Sequence, residues 1–519
     1  MNFSSLRTAI IFLKNAQISS KRGFSTKIQG CDLKAFERTP EIMEQSGRNS
    51  QNFSLKKPKT RESALPDLPL IIFFKHFGQI LKENSFYPTI FVEIYSKPYS
   101  PSTSYHLMLQ KKIRWILLSS LTLNLFSCVK EQKTAFDLSG LYRASIEITT
   151  DEVPFFLNLK KSGEKWAAEI LNGDEVLNYD EVYVEGDSIR IVMGIFDAEI
   201  KAKMMENGTL HGVFVKNFSS GYSIPFFAEK GELPRFPTTQ TPEFDFSGKW
   251  KTVFDDGNGK SYEAIALFEQ KGNKLTGTFL TKLGDYRFLE GNVEGNMFYL
   301  SAFDGSHVYY FEGRAENNGS ISGKFRSGPK YQETFVAERN ETFELPDAYS
   351  MNYLKEGFDK FTFTFPDVDG KMVSLEDEQF KNKVVLVQLF GTWCPNCMDE
   401  TKFLAEWYKK NKSKGVEIIA LAFETKADFD YASERVRKTK ERMGAEYTFL
   451  IAGESNKEKA LEALPALNQI IAFPTLIYLD KSGQVKKIHT GFNGPGTGGH
   501  YHRWVEEHEN LIKELLLEP

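Results

Sequence analysis

The chain has 519 residues, 41% of them hydrophobic and 26% charged, with a formal net charge of −4. That length exceeds what one hydrophobic core organises, so two or more domains are expected. The charge balance provides no broad basic field and argues against nucleic acid as a partner. Four cysteines, Cys31, Cys128, Cys394 and Cys397, are too few for a disulfide-stapled scaffold, so each needs its own explanation.

Residues 1–107 show no sustained helical or strand period and only scattered apolar clumps such as 70–74. The first organised feature is the apolar run 115–127, WILLSSLTLNLFS, preceded by Lys111, Lys112 and Arg114 and followed by Cys128. A basic stretch, a short apolar run and a small residue form the anatomy of a secretory signal, and the run is too short to span ~30 Å of hydrocarbon. Leu125-Phe126-Ser127-Cys128 also resembles the lipobox of bacterial lipoproteins, which implies cleavage before Cys128 and its acylation. Export signals act from a chain terminus, so 1–107 is expected to be an unfolded upstream extension from a misplaced start, carrying Cys31 with it. On this reading 108–127 is the signal peptide and 128–135 a polar tether. Two other readings stay open: the acid-free stretch before Asp32 fits a mitochondrial transit peptide, and 115–127 fits a buried helix.

From 136 to 344 the text consists of short runs of Val, Ile, Phe and Tyr broken by Gly, Asn and Asp, which predicts antiparallel β structure. It repeats. Phe136-Asp137-Leu138-Ser139-Gly140 returns as Phe244-Asp245-Phe246-Ser247-Gly248, Val184-Glu185-Gly186 as Val293-Glu294-Gly295, and Asn207-Gly208-Thr209 as Asn318-Gly319-Ser320. Two sandwich- or barrel-like modules are expected, at 136–238 and 239–344, each with an Asn-Gly hairpin turn. Gly248-Lys249-Trp250 is similar to the Gly-x-Trp opening of lipocalin-like barrels, although the first copy reads Gly140-Leu141-Tyr142. A spacer or docking role fits these modules; a bound apolar ligand is the alternative.

From 345 to 519 strands alternate with helices, which is α/β text. Strands are expected at 361–367, 384–390, 416–423 and 447–451, with a hairpin formed by 475–479 and 485–490. Helices are expected at 395–412, 427–443 and 501–517. The stretch 491–499 is either a loop capping the site or a strand-to-helix connection.

Gly391-Thr392-Trp393-Cys394-Pro395-Asn396-Cys397 stands where the apolar strand 384–390 meets the first of these helices. A first cysteine at a helix N-terminus faces unpaired N–H groups and the positive dipole end, which favour thiolate. Cys394 is therefore the expected exposed nucleophile. Cys397, one turn further in, is placed to resolve a mixed disulfide. An inert structural disulfide and half of a zinc site are the other readings. Zinc would need two more ligands, for which only His500 and His502 offer themselves nearby.

Residues 346–519 resemble the TlpA/ResA-like thioredoxin family, within the wider redoxin and AhpC/TSA superfamily. The resemblance is carried by Trp393-Cys394-x-x-Cys397, by Glu400 three residues on, by Phe473-Pro474-Thr475, and by the extra strand before Gly370-Lys371. It implies a thioredoxin fold, a cis Pro474 opposite Cys394, and Trp393, Phe473 and Thr475 at a substrate surface. It also implies a partly buried Glu400 serving as proton shuttle. Three departures stand out: Gln388 where the family's buried Asp would fall, Pro395 with no N–H for the thiolate, and Thr401 in place of a proline.

The sequence therefore predicts a multidomain protein, two antiparallel β modules followed by an α/β thioredoxin fold. Its expected activity is thiol-disulfide exchange with protein substrates, without metal or organic cofactor. It is expected in the bacterial cell envelope, facing the periplasm, lipid-anchored at Cys128 and supplied by a membrane electron donor. Alternatives are a peroxiredoxin-like thiol peroxidase, and a cell-surface binding protein with an accessory redox domain. Peroxiredoxins carry Thr three positions before the reactive cysteine, where this chain has Gly391.

Overall fold

The computed structural model describes residues 137–149 and 151–519. The expected extension, signal peptide, Cys31, the tether and Cys128 lie outside the described residues.

Eight strands open the fold: β1 (Gly140–Ile148), β2 (Asp151–Ser162), β3 (Lys165–Asn172), β4 (Glu175–Glu185), β5 (Ser188–Met193), β6 (Ala198–Met204), β7 (Leu210–Lys216) and β8 (Ser223–Lys230). Each pairs antiparallel with the next, and β1 pairs with β8, so the ring closes and has no free edge. Alternation drives this. Tyr142, Ala144, Ile146 and Ile148 of β1 and Val153, Phe155, Leu157 and Leu159 of β2 are buried, as a period of two places them on one face.

The second module comprises β9 (Gly248–Asp255), β10 (Ser261–Lys271), β11 (Lys274–Thr281), β12 (Gly284–Asp285), β13 (Leu289–Glu294), β14 (Met297–Phe303), β15 (Val308–Ala315), β16 (Ile321–Ser327) and β17 (Tyr331–Arg339). Its sheet also closes, through the pairing of β10 with β11, leaving the short β12 as a branch on β11. The two rings share details at matching positions. Tyr142 Oη donates to the Leu138 carbonyl at 2.9 Å, and Trp250 Nε1 to the Phe246 carbonyl at 2.9 Å. Gly208 and Gly319 sit at φ +85° and +81° in the two Asn-Gly turns, a backbone region open to glycine. The second ring is filled by aromatic rings, with Phe279 stacked on Phe311 at 4.7 Å and Phe311 on Phe325 at 4.4 Å. Phe303, from the end of β14, packs between Phe155 and Phe214 of the first ring at 4.7 and 4.9 Å, joining the rings through a shared core.

The C-terminal domain contains β18 (Thr364–Pro366), β19 (Met372–Ser374), β20 (Val384–Phe390), α1 (Pro395–Asn411), β21 (Val416–Glu424), α2 (Phe429–Met443), β22 (Thr448–Glu454), α3 (Lys457–Ala463), β23 (Thr475–Leu479), β24 (Val485–Thr490) and α4 (Gly499–Leu517). Its main sheet runs β22-β21-β20-β23-β24, with β20, β21 and β22 parallel and β23 antiparallel to β20. This is the thioredoxin-like order. β20 is buried at every residue, as the central strand of a sheet covered on both faces must be.

The expected strand 361–367 shortens to β18, which pairs with β19 only from Thr364 and ends before Asp367, whose carboxylate accepts from the Asp369 and Lys371 amides and turns the chain. Helix α2 starts at Phe429 because Asp428 caps it, accepting from the Tyr431 amide at 2.8 Å. Two elements went unread, β19 and α3. The stretch 491–499 connects β24 to α4 and contains a short 3-10 turn. The domain rests on both rings. α2 reaches the first ring through Tyr431 Oη, which donates to Asp197 Oδ2 at 3.1 Å, and through Arg442, paired with Asp180 at 3.1 Å.

Candidate active site

β20 delivers the chain into Gly391, where a Cβ would lie 2.2 Å from Trp393 Nε1 and 2.7 Å from the Phe423 carbonyl oxygen. Glycine there lets the Trp393 indole reach across and donate to Phe423 O at 2.9 Å. Thr392 is fixed by buried Glu424, which accepts from its amide and its hydroxyl, both at 2.8 Å. These bonds fix the turn that presents Cys394.

Cys394 is the N-cap of α1, and its Sγ accepts from the Cys397 amide at 3.2 Å. An N-cap acceptor meets the amides of the second and third helical residues, never the first. Pro395 is the first, and the amide that meets this sulfur is that of Cys397, the third. The two cysteines form a disulfide with Cα atoms 5.2 Å apart. Cys397 is fully buried; Cys394 is 7% exposed, against the expectation of an exposed nucleophile.

The Phe473–Pro474 peptide is cis, and the Phe473 carbonyl oxygen lies 3.4 Å from Cys394 Sγ. The Phe473 ring meets Trp393 edge-on at 5.8 Å. Thr475 is buried, and its hydroxyl donates to the Ala472 carbonyl at 2.9 Å, so it braces the turn and is not offered to a substrate.

Glu400 lies one helical turn beyond Cys397, on the same face of α1. The sequence implied partial burial; the structure buries it completely, between α1 and β20. Gln388 Nε2 donates to Glu400 Oε2 at 2.8 Å, and Thr401 Oγ1 donates to Gln388 Oε1 at 3.3 Å. Burial pushes the Glu400 carboxyl up to about 8, while the Gln388 bond opposes that rise. Gln388, in place of an ionisable residue, thus holds the acid that is present.

The second ring contributes residues that the sequence did not mark. Arg287, in the turn between β12 and β13, donates to the Pro395 carbonyl at 3.1 Å and pairs with Asp399 and with Glu175 of the first ring. Asn396 Nδ2 donates to the Asp285 carbonyl at 3.0 Å, and Ser306 Oγ to the Trp393 carbonyl at 3.5 Å. Burial pushes Glu175 up to about 7 and Asp285 up to about 6. Asp304 feels burial too, but His307 and Arg287 outweigh it and hold Asp304 near 2. A cavity of about 680 Å3 opens beside this cluster, lined among others by Glu175, Arg287, Asp304, Pro395 and Asp399. The only sequence hint was a single arginine in a turn shared with Asp285, more than a hundred positions from Pro395.

Residues 357–500 match the family described as Redoxin, so the C-terminal region is a redoxin domain. The chain is 33% identical over 123 residues to thiol-disulfide oxidoreductase ResA of Bacillus thuringiensis subsp. konkukian, an alignment covering 24% of this chain and 62% of that protein. It is 28% identical over 138 residues to ResA of Bacillus subtilis, covering 27% of this chain and 69% of that one. The chain thus spans about 62% of the length of the first curated relatives it matches. Among solved structures, a thioredoxin-family thiol:disulfide interchange protein from Chlorobium tepidum is 21% identical, with 31% of this chain and 98% of that chain covered and a TM-score of 0.24.

Proposed function

We propose that this protein is an exported thiol-disulfide oxidoreductase that exchanges disulfides with protein substrates through Cys394 and Cys397. The observation that carries the reading is the position of Cys394 Sγ, held by the Cys397 amide at the start of α1 and facing the Phe473 carbonyl beside Pro474. In the reducing direction, the Cys394 thiolate attacks one sulfur of a substrate disulfide. A mixed disulfide forms, and the other substrate sulfur leaves as thiolate and takes a proton. Cys397 then attacks Cys394 Sγ and releases the second substrate thiol, leaving the Cys394–Cys397 disulfide present in this structure. Two electrons pass to the substrate, and a membrane electron donor restores the pair. Glu400, held near 8, is matched to a thiol of ordinary pKa ~8.5 and can exchange a proton with Cys397 in either direction.

The basic-apolar-Cys128 segment supports export and lipid anchoring in the cell envelope. The shared closures and matched bonds of the two rings support a duplicated platform. Dithiothreitol-driven insulin reduction tests the activity: Cys394→Ser should abolish it, and unchanged turnover overturns the assignment. Mass spectrometry of the native N-terminus tests the anchor: an acylated Cys128 is expected, and an intact peptide from residues 1–107 overturns it.

A further inference from the structure

Disulfide exchange needs the attacking, attacked and leaving sulfurs in line, so a protein substrate must lay its main chain over Cys394 beside Pro474. That approach is bounded by two segments, Trp393 to Asn396 on one side and the Pro474 turn on the other. The second ring bonds the first directly and reaches the second only through Gly491. Ser306, Arg287 and Asp285 bond the first segment, to Trp393, Pro395 and Asn396 respectively. On the other side Gly491 donates its amide to the Pro474 carbonyl at 3.0 Å. Leu283 backbone presses on Gly491 so closely that a Cβ there would lie 2.8 Å from the Leu283 carbonyl carbon. Asp285 also accepts from the Gly494 amide, pinning the connection that follows. Cys394 as a whole residue is left 7% exposed.

We infer that the turns 281–288 and 304–307 of the second ring form a cap on the redox site that selects substrates by size. This rests on the oxidoreductase reading and adds to it a substrate class. On this inference a disulfide within a folded protein reaches Cys394 only when the cap lifts, whereas a small thiol or disulfide needs no such opening. Arg287 is the latch, because one guanidinium binds the first ring at Glu175 and the redoxin domain at Asp399 and Pro395. A buried arginine holding carboxylates on both neighbouring domains cannot leave without stranding them, so the cap lifts as a unit.

The test uses the full chain, reduced with dithiothreitol and freed of it, then alkylated with N-ethylmaleimide or with a bulky polyethylene-glycol maleimide. The rate at Cys394 is read by peptide mass spectrometry and normalised to a cysteine peptide in solution. The bulky reagent should lag the small one by about tenfold or more, the signature of a reaction that waits for local opening. Equal normalised rates overturn the inference. Arg287→Ala should narrow the gap, read as the ratio of the two rates within the same variant, and Arg287→Lys should narrow it less. A folded Arg287→Ala protein with the gap intact removes the latch and overturns that part. Should Arg287→Ala fail to melt cooperatively, the wild-type pair of rates decides alone. Insulin turnover that persists in Cys394→Ser would instead sink the oxidoreductase reading, a separate readout.

Discussion

Gln388 Nε2 donates to Glu400 Oε2 across 2.8 Å, while Glu400 Oε1 is buried without a hydrogen-bond partner. A carboxylate so placed is half solvated at best, which is why its proton is held up to about 8 against an ordinary value of 4.5. The folded state binds this proton more tightly than the unfolded chain does. The stability it contributes is complete below 4.5 and is lost as pH rises through about 8. The melting temperature should therefore fall across that window, and Glu400→Gln should flatten the fall. An unaltered pH dependence in Glu400→Gln would count against a neutral buried acid.

The same group predicts a kinetic signature. Exchange turnover should show an inflection near 8 that Glu400→Gln removes, with a rate loss on the order of a hundredfold if Glu400 moves the Cys397 proton. Gln388→Leu removes the bond that opposes the rise, so the inflection should move to higher pH without disappearing. Stopped-flow measurement of mixed-disulfide resolution against pH separates the two variants from wild type.

Much of this domain was legible in the sequence because its cues are local. The apolar run 384–390 and the cysteine spacing located β20, the start of α1 and the disulfide, with β23 and β24 falling where the hairpin reading put them. α3 was not legible: it is a short helix whose only buried residue is Ala460, so no apolar stripe announced it, and its Asn456 cap was the lone signal. The cover over Cys394 was beyond sequence reasoning for a different cause. Arg287 and Ser306 lie in β-module turns and Asp285 in the two-residue strand β12 beside one, places whose composition is ordinary for a β module. Their meaning comes from contacts with Asn396, Pro395 and Trp393 that only the closed chain creates.

Gly391 offers a sharper test of how the turn is built. Any side chain there collides with the Trp393 indole and the Phe423 carbonyl, both parts of the packed wall beside the disulfide. Gly391→Ala should cost about 1–3 kcal/mol by overpacking. It should also break the 2.9 Å bond from Trp393 Nε1 to Phe423. Thermal unfolding together with Trp393 fluorescence measures both effects, and a silent substitution would show that the turn yields more easily than its contacts require.

Arg435 links the same turn to the first ring. Its Nε donates to Thr392 Oγ1 at 3.2 Å and lies 3.9 Å from Glu424 Oε2, while its other nitrogens reach the Ile195 carbonyl and Asp197. Burial pushes the Glu424 carboxyl up, and the Thr392 bonds and the Arg435 charge restrain it. Arg435→Ala would leave Glu424 buried without its cation, a change that costs about 3–5 kcal/mol when a buried pair loses one partner. Arg435→Lys keeps the charge but not the fork that spans Thr392 and Ile195, so it should recover part of the loss. The decisive reading is the reactivity of Cys394. If Thr392 holds the cysteine turn through Glu424, Arg435→Ala should change the alkylation rate of Cys394 in folded protein and Arg435→Lys should change it less. A rate unmoved by both substitutions would confine Arg435 to docking α2 on the first ring.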